Sequence, residues 1–260
     1  MTTRTPYDAI VLARDELSDH LVRLVLEVPT GFRSTGVADE WLALTVPGQF
    51  QTRYYTVRSL EGRLLTIDVV VHDEGLVTSW VRTECVGDIV GLGDPKGSFG
   101  VPEDAGWVVL AGDLTALPAM ARIVEDLDKL DQRGLPVRVH AETPDGPLAD
   151  YLPGPDVSWH DVEPGESDLA ELVKAIVWPE GPGYFWMAGE SAQMREVRRH
   201  VRRDLGWDTR HHEAMGYWSG SRGRAAVKKV DPGPIYARGK AAGKSDEEIW
   251  ADYDQARGTA

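Results

Sequence analysis

Trp107-Val108-Val109-Leu110-Ala111-Gly112-Asp113-Leu114-Thr115-Ala116-Leu117-Pro118 divides the chain into two kinds of structure. Its first five residues form an unbroken apolar run, as expected of a parallel strand buried on both faces. Gly112 permits close backbone approach, Thr115 can cap a helix or reach a phosphate, and Pro118 suits a first helical turn. Residues 116–130 then repeat apolar side chains at helical spacing through Leu117, Met120, Ile123, Val124 and Leu127. Downstream, the pattern predicts strands at 137–141, 157–160 and 184–188 and helices at 168–177 and 192–205. Strands alternating with helices imply a parallel α/β sheet. Ligands of such sheets bind beyond the carboxyl ends of the strands, where helix N-termini offer N–H groups to phosphate. Gly112, Asp113 and Thr115 are therefore candidate ligand residues, as are Ala188, Gly189 and Glu190, which close a later strand in the same way. Neither loop is a G-x-G-x-x-G fingerprint, and a plain helix start explains either one alone. Two such loops at one sheet edge favour a dinucleotide.

Upstream of this stretch the chain is strand-like. Short β-rich runs at 9–13, 20–28, 41–46, 51–60, 64–71 and 88–92 are separated by Pro29-Thr30-Gly31, Pro47-Gly48 and Glu61-Gly62. Six short strands at this spacing suggest an antiparallel barrel, with one short helix inserted at 77–84. The boundary between the two halves falls near 103–106. Within the barrel, Arg53-Tyr54-Tyr55-Thr56-Val57-Arg58 reads as a strand with Arg53, Tyr55 and Val57 on one face and Tyr54, Thr56 and Arg58 on the other. A guanidinium and a phenol ring on one face suit a ligand that is both anionic and planar, and flavin nucleotides have both parts. A surface arginine beside a packed tyrosine is the plainer alternative. His72 ends a later strand, and residues 75–80 run from Gly75 into a helix start, a second cradle for phosphate. A lone histidine is more often structural than catalytic, and Trp80 more often core than stacking partner. There is no nucleophile–base triad, no H-E-x-x-H and no Walker A sequence.

Composition narrows the field. Charged residues at 27% and hydrophobic ones at 42% belong to a globular chain. The single cysteine, Cys85, excludes an internal disulfide and a cysteine-held zinc or iron–sulfur site. No apolar run reaches membrane-spanning length, and the polar N-terminus predicts no signal peptide, so a cytoplasmic protein is the expectation. The formal charge of −14 argues against nucleic acid as a partner. Residues 221–244 nevertheless carry seven basic side chains against Asp231 alone, a local +6 that leaves −20 on the rest. That segment contains Lys228, Arg238 and Lys240. It is read either as a solvated tail or as a guide for an anionic ligand. Ser245-Asp246-Glu247-Glu248 is a capping box that predicts a terminal helix.

The order of the pieces resembles the siderophore-interacting proteins, flavin-dependent ferric-siderophore reductases of the wider ferredoxin–NADP reductase superfamily. The resemblance rests on Arg53-x-Tyr55-Thr56, His72, Gly75-x-x-Thr78-x-Trp80, Gly112-Asp113-x-Thr115-Ala116-Leu117-Pro118-Ala119, Ala188-Gly189-Glu190 and Gly216-Tyr217-Trp218. It covers residues from about 7 to 220. The chain departs from the family where Leu114 replaces a usual Glu, where Leu76 and Val77 replace a Pro-Ala pair, and where Gly216-Tyr217-Trp218 lacks a following Arg. The resemblance implies an FAD-binding barrel at 1–104 and an NAD(P)H-binding α/β domain at 105–220; residues 221–260 are read from their own sequence as a basic excursion with a C-terminal helix. It implies that Arg53 holds the FAD phosphates, Tyr55 stacks on the isoalloxazine and Thr56 bonds near its reactive edge. Gly75 and Thr78, with His72 and Trp80 nearby, would receive the pyrophosphate, and the 112–115 and 188–190 loops NADH or NADPH. Lys228, Arg238 and Lys240 would attract a ferric siderophore to a monomeric protein. The alternatives are a general flavin reductase and a siderophore-binding protein without catalysis.

Overall fold

Alternating buried and exposed side chains write the first half as antiparallel sheet. In the computed structural model, which describes residues 6–49, 52–72, 75–129, 134–152, 156–219 and Arg238, strand β2 (Leu21–Glu27) sends Val22, Leu24 and Leu26 into an apolar core. Its neighbours are β1 (Tyr7–Ser18) and β6 (Leu64–Val70), and the sheet continues through β3 (Trp41–Thr45), β4 (Arg53–Thr56), β5 (Ser59–Glu61) and β7 (Ile89–Leu92). The seven strands run in the order β4-β3-β7-β1-β2-β6-β5, so the sheet's two ends are successive pieces of one segment. Val57 N–H still bonds to Glu40 O at 2.8 Å, whereas Arg58 N–H bonds to Thr66 O at 2.9 Å. The single strand expected at 51–60 is therefore two, because the chain crosses from β3 to β6 where Val57 is buried.

Strand β1 extends well past the expected 9–13. Its second half, Asp15 to Ser18, is polar but keeps pairing with β2 across two irregularities. Helix α1 (Leu76–Val81) follows β6 and buries Val77 and Val81 in the barrel core.

The second sheet is parallel throughout. Strands β8 (Val108–Gly112), β9 (Val137–Thr143), β10 (Asp156–Asp161), β11 (Tyr184–Glu190) and β12 (His212–Trp218) lie in the order β10-β9-β8-β11-β12. Helix α2 (Leu117–Lys129) covers one face, packing Leu117, Met120 and Ile123 against Leu110, Val139 and Trp186. Leu21 from the barrel joins this same core. Helices α3 (Leu169–Ala175) and α4 (Ser191–Arg203) cover the other face, over Val109, Ala111, Phe185 and Met187. Strand β12 had no counterpart among the expected strands, since Gly216 interrupts its β-forming residues.

Both sheets lie within the compact unit Arg4–Ser219, while Arg238 belongs to a separate unit. Arg238 is helical and exposed; Lys228, Lys240 and the terminal helix expected after Ser245 lie outside the described residues. Among the described residues, no helix is long and apolar enough to cross a membrane.

Candidate functional site

The parallel sheet reverses its direction of growth at β8. From β8 the chain adds β9 and β10 on one side, then returns to add β11 and β12 on the other. Such a switch point opens a crevice at the carboxyl ends of the strands. Ala188 pairs in register with Gly112, so the two candidate loops stand side by side there.

Asp113 holds these loops together. It is buried, and its Oδ1 accepts from Thr115 N–H at 2.9 Å and from the Thr115 hydroxyl at 2.5 Å. Its Oδ2 accepts from Trp218 Nε1–H at 2.7 Å, and the Glu190 N–H also bonds to the carboxylate. Burial raises the pKa of Asp113 while these donors oppose the rise. Thr115 consequently does not cap α2; it closes an Asp-x-Thr turn ahead of the helix. Glu190 caps α4, accepting from the N–H groups of Ala192 and Gln193. Gly112 is required for packing: a Cβ there would lie 2.5 Å from Ala116 Cβ and 3.0 Å from Ala188 O. Gly189, with φ 154°, would place a Cβ 2.5 Å from Asp113 Oδ2.

A cleft of about 620 Å³, open to solvent, begins at this edge and reaches the barrel. His72, Asp113, Leu114, Thr115 and Trp218 line it, with His20 from the barrel and Glu142 from the end of β9. His72 thus shares this cleft with the 112–115 loop, and its ring lies 6.3 Å from that of Trp218. Glu142 was not foreseen from the sequence. It is buried, and burial pushes its carboxyl up to about 7 although the Ser167 hydroxyl and Asp168 N–H both donate to it at 2.9 Å.

On the barrel side, Arg53 is exposed at the start of β4, and Tyr55 on the same face is half-buried against the barrel core. Burial pushes the Tyr55 phenol up to about 12. Thr56 points the other way and is buried with its hydroxyl facing the buried hydroxyl of Tyr217. Tyr217 and Trp218 are neighbours on β12. One therefore touches the Arg53–Thr56 strand and the other lines the cleft. Tyr54, 68% exposed, is a second aromatic surface on the same strand.

The groups β4 offers fit FAD: an exposed guanidinium for phosphate, a phenol ring for the planar system, and a buried hydroxyl beside the Tyr217 phenol. Gly75 precedes α1 with φ 154°, but Thr78 is buried and its Oγ1 accepts from His72 N–H at 3.3 Å. Trp80 packs on the barrel core and donates to Asp88 at 2.8 Å, an arrangement that needs no ligand.

Long-range pairs fasten the halves. Arg58 forks onto Glu125 of α2 at 3.0 and 2.5 Å, and Arg122 of α2 donates to Val57 O at 2.7 Å. The Tyr151 ring lies 5.4 Å from the Arg58 guanidinium carbon and 5.6 Å from that of Arg23. Asp145, in the loop after β9, accepts from the Ser18 hydroxyl, from His20 N–H, and from His20 Nδ1 at 2.5 Å.

Residues 10–99 match the family model described as siderophore-interacting FAD-binding domain, and residues 105–221 the model described as siderophore-interacting protein. The NADPH-dependent ferric-chelate reductase of Escherichia coli is 28% identical over 159 residues, 59% of this chain and 60% of that protein. The mycobactin import ATP-binding/permease protein of Mycobacterium tuberculosis is 28% identical over 246 residues, 87% of this chain. The chain spans only 27% of that protein's length. A siderophore utilization protein from T. fusca superposes with a TM-score of 0.68 at 28% identity, covering 86% of this chain and 94% of that one.

Proposed function

The chain belongs to the siderophore-interacting protein family, and from that premise we propose that it is an FAD-dependent NAD(P)H:ferric-siderophore reductase that releases iron as Fe(II). The observation that carries the reading is the Tyr217–Trp218 dipeptide, which has the Arg53–Thr56 strand on one side and the switch-point cleft on the other. A planar cofactor on the first and a dinucleotide in the second would meet there. The E. coli relative's name supports the same chemistry.

When bound, FAD supplies the step that turns a two-electron hydride donor into a one-electron reductant for Fe(III). The chain's own residues bind and orient. Arg53 would hold the FAD phosphates, Tyr55 would pack on the planar ring, and Thr56 would offer its hydroxyl to the ring's polar edge. Gly75 and Thr78, with His72 and Trp80 beside them, take the pyrophosphate side. The loops carrying Gly112, Asp113, Thr115, Ala188, Gly189 and Glu190 receive NADH or NADPH. Asp113 keeps both loops rigid, so the dinucleotide meets a preformed edge. The cytoplasmic, monomeric state expected from the sequence goes with this reading.

Arg53→Ala is expected to weaken FAD binding about ten- to hundredfold, since a charge-assisted phosphate contact contributes roughly 1.5–3 kcal/mol. Titration of the apoprotein by flavin fluorescence measures this, and unchanged affinity would remove the assignment. Lys228, Arg238 and Lys240 supply the positive field that an anionic ferric siderophore needs on an acidic protein. Neutralising all three together should raise the apparent KM for an anionic ferric siderophore and flatten its salt dependence, leaving flavin reduction unaltered. Identical siderophore kinetics in that variant would make the segment a solvated tail.

A further inference from the structure

Four acids, Asp113, Glu142, Glu163 and Glu166, line the cleft at the switch point, with His20 and His72 on its barrel side. Glu142 lies one residue from the end of β9, the strand beside β8, and the acid that meets an adenine ribose in open α/β folds follows the first strand's glycine loop in the same way. Its carboxylate is held in place: Oε2 accepts from Ser167 Oγ–H and Oε1 from Asp168 N–H, both at 2.9 Å. Asp113 faces the same space from the β8 loop and acts on Glu142 electrostatically. Glu163 and Glu166 also line it, and Glu163 is exposed. Among the described residues the lining holds neither lysine nor arginine.

A dinucleotide phosphorylated on its adenosine ribose brings close to two further negative charges at neutral pH and acceptor oxygens only. Guanidinium or ammonium groups are the usual partners of such a phosphate. A ribose hydroxyl, in contrast, donates to a carboxylate. Building on the dinucleotide reading of this cleft, we propose that it takes the adenosine end of NADH and turns away NADPH, with Glu142 setting the choice. The E. coli reductase named as NADPH-dependent aligns over 59% of this chain at 28% identity, so its dinucleotide does not carry over.

The test separates binding from flavin chemistry. The full chain is titrated calorimetrically with ADP-ribose and with its 2′-phosphate, and the FAD-loaded protein is reduced anaerobically by NADH and by NADPH. ADP-ribose is expected to bind at least ~10-fold more tightly than its 2′-phosphate, with a matching ratio in kcat/KM for flavin reduction, the scale of one pairing gained against one repulsion. Glu142→Gln removes the charge and keeps the shape, and should narrow the ratio at least ~3-fold. Glu163→Lys, at an exposed position that does not threaten the fold, should raise affinity for the 2′-phosphate selectively. Equal or tighter binding of the 2′-phosphate to the unaltered chain would overturn the proposal while leaving the dinucleotide site intact. A ratio left unchanged by Glu142→Gln would overturn the role given to Glu142, whatever Glu163→Lys does. If neither ligand binds, while FAD binds and dithionite bleaches it, both this proposal and the dinucleotide reading fall.

Discussion

Replacing Arg58 with alanine should lower the melting temperature by about 5–10 °C, roughly 2–3 kcal/mol at 2–4 °C per kcal/mol for a chain of this size. The Arg58 side chain is 13% exposed and its partner Glu125 35%, so the pair falls between the surface and the fully buried case. Exposed ion pairs contribute about 0–1 kcal/mol, whereas breaking a buried one costs about 3–5 kcal/mol. The variant also loses the guanidinium stacked on Tyr151, and with it the tie between the β4–β5 crossing and α2. Lys129→Ala is the control. That pair with Asp126 is 3.8 Å apart with the lysine 70% exposed, and its loss should move stability by no more than about 0.5 kcal/mol. Thermal unfolding of both variants decides the matter. Equal, small shifts would mean that the two halves are not fastened through Arg58.

Glu142→Gln should stabilise the protein by an amount that grows from pH 4.5 to 7 and is constant above it. The folded carboxyl is raised to about 7 from an ordinary 4.5, chiefly by burial, with Asp113 and Asp168 adding to the rise. Below pH 4.5 the acid is protonated folded and unfolded, and it contributes no difference. Between 4.5 and 7 the unfolded chain gives up the proton and the folded chain keeps it, so stability falls as pH rises; above 7 the loss is complete. Glutamine cannot ionise, so the variant should match the natural chain near pH 4.5 and exceed it by about 2–3 kcal/mol at pH 8. Its amide can still accept from Asp168 N–H and donate to Ser167. Melting curves at both pH values check the sign, and a stabilisation independent of pH would contradict it.

Much of the fold could be read locally. The run Trp107–Ala111 announced a doubly buried strand because no polar side chain breaks it, and α2 announced itself because Leu117, Met120 and Ile123 recur on one face. What escaped the reading depends on residues far apart in sequence. Arg58 and Glu125 are separated by 67 residues, and Thr56 meets Tyr217 only because β12 is laid beside β11. Glu142 looked like the end of an ordinary strand; its neighbours Asp113 and Ser167 come from other elements. Thr115 is different. The Asp-x-Thr spacing already signalled a side-chain turn, and the expectation of a helix cap overlooked the aspartate two residues earlier.

The central claim is that one protein holds FAD on the barrel and a nicotinamide in the cleft, and passes electrons from one to iron through the other. The direct test loads the chain with FAD, adds NADH anaerobically, then adds ferric siderophore with an Fe(II) trap while flavin absorbance is followed. The account predicts that NADH bleaches the flavin, that the ferric siderophore restores its colour, and that trapped Fe(II) appears in proportion to the NADH consumed. Bleaching by dithionite but by neither NADH nor NADPH would contradict it, as would Fe(II) appearing equally fast without FAD.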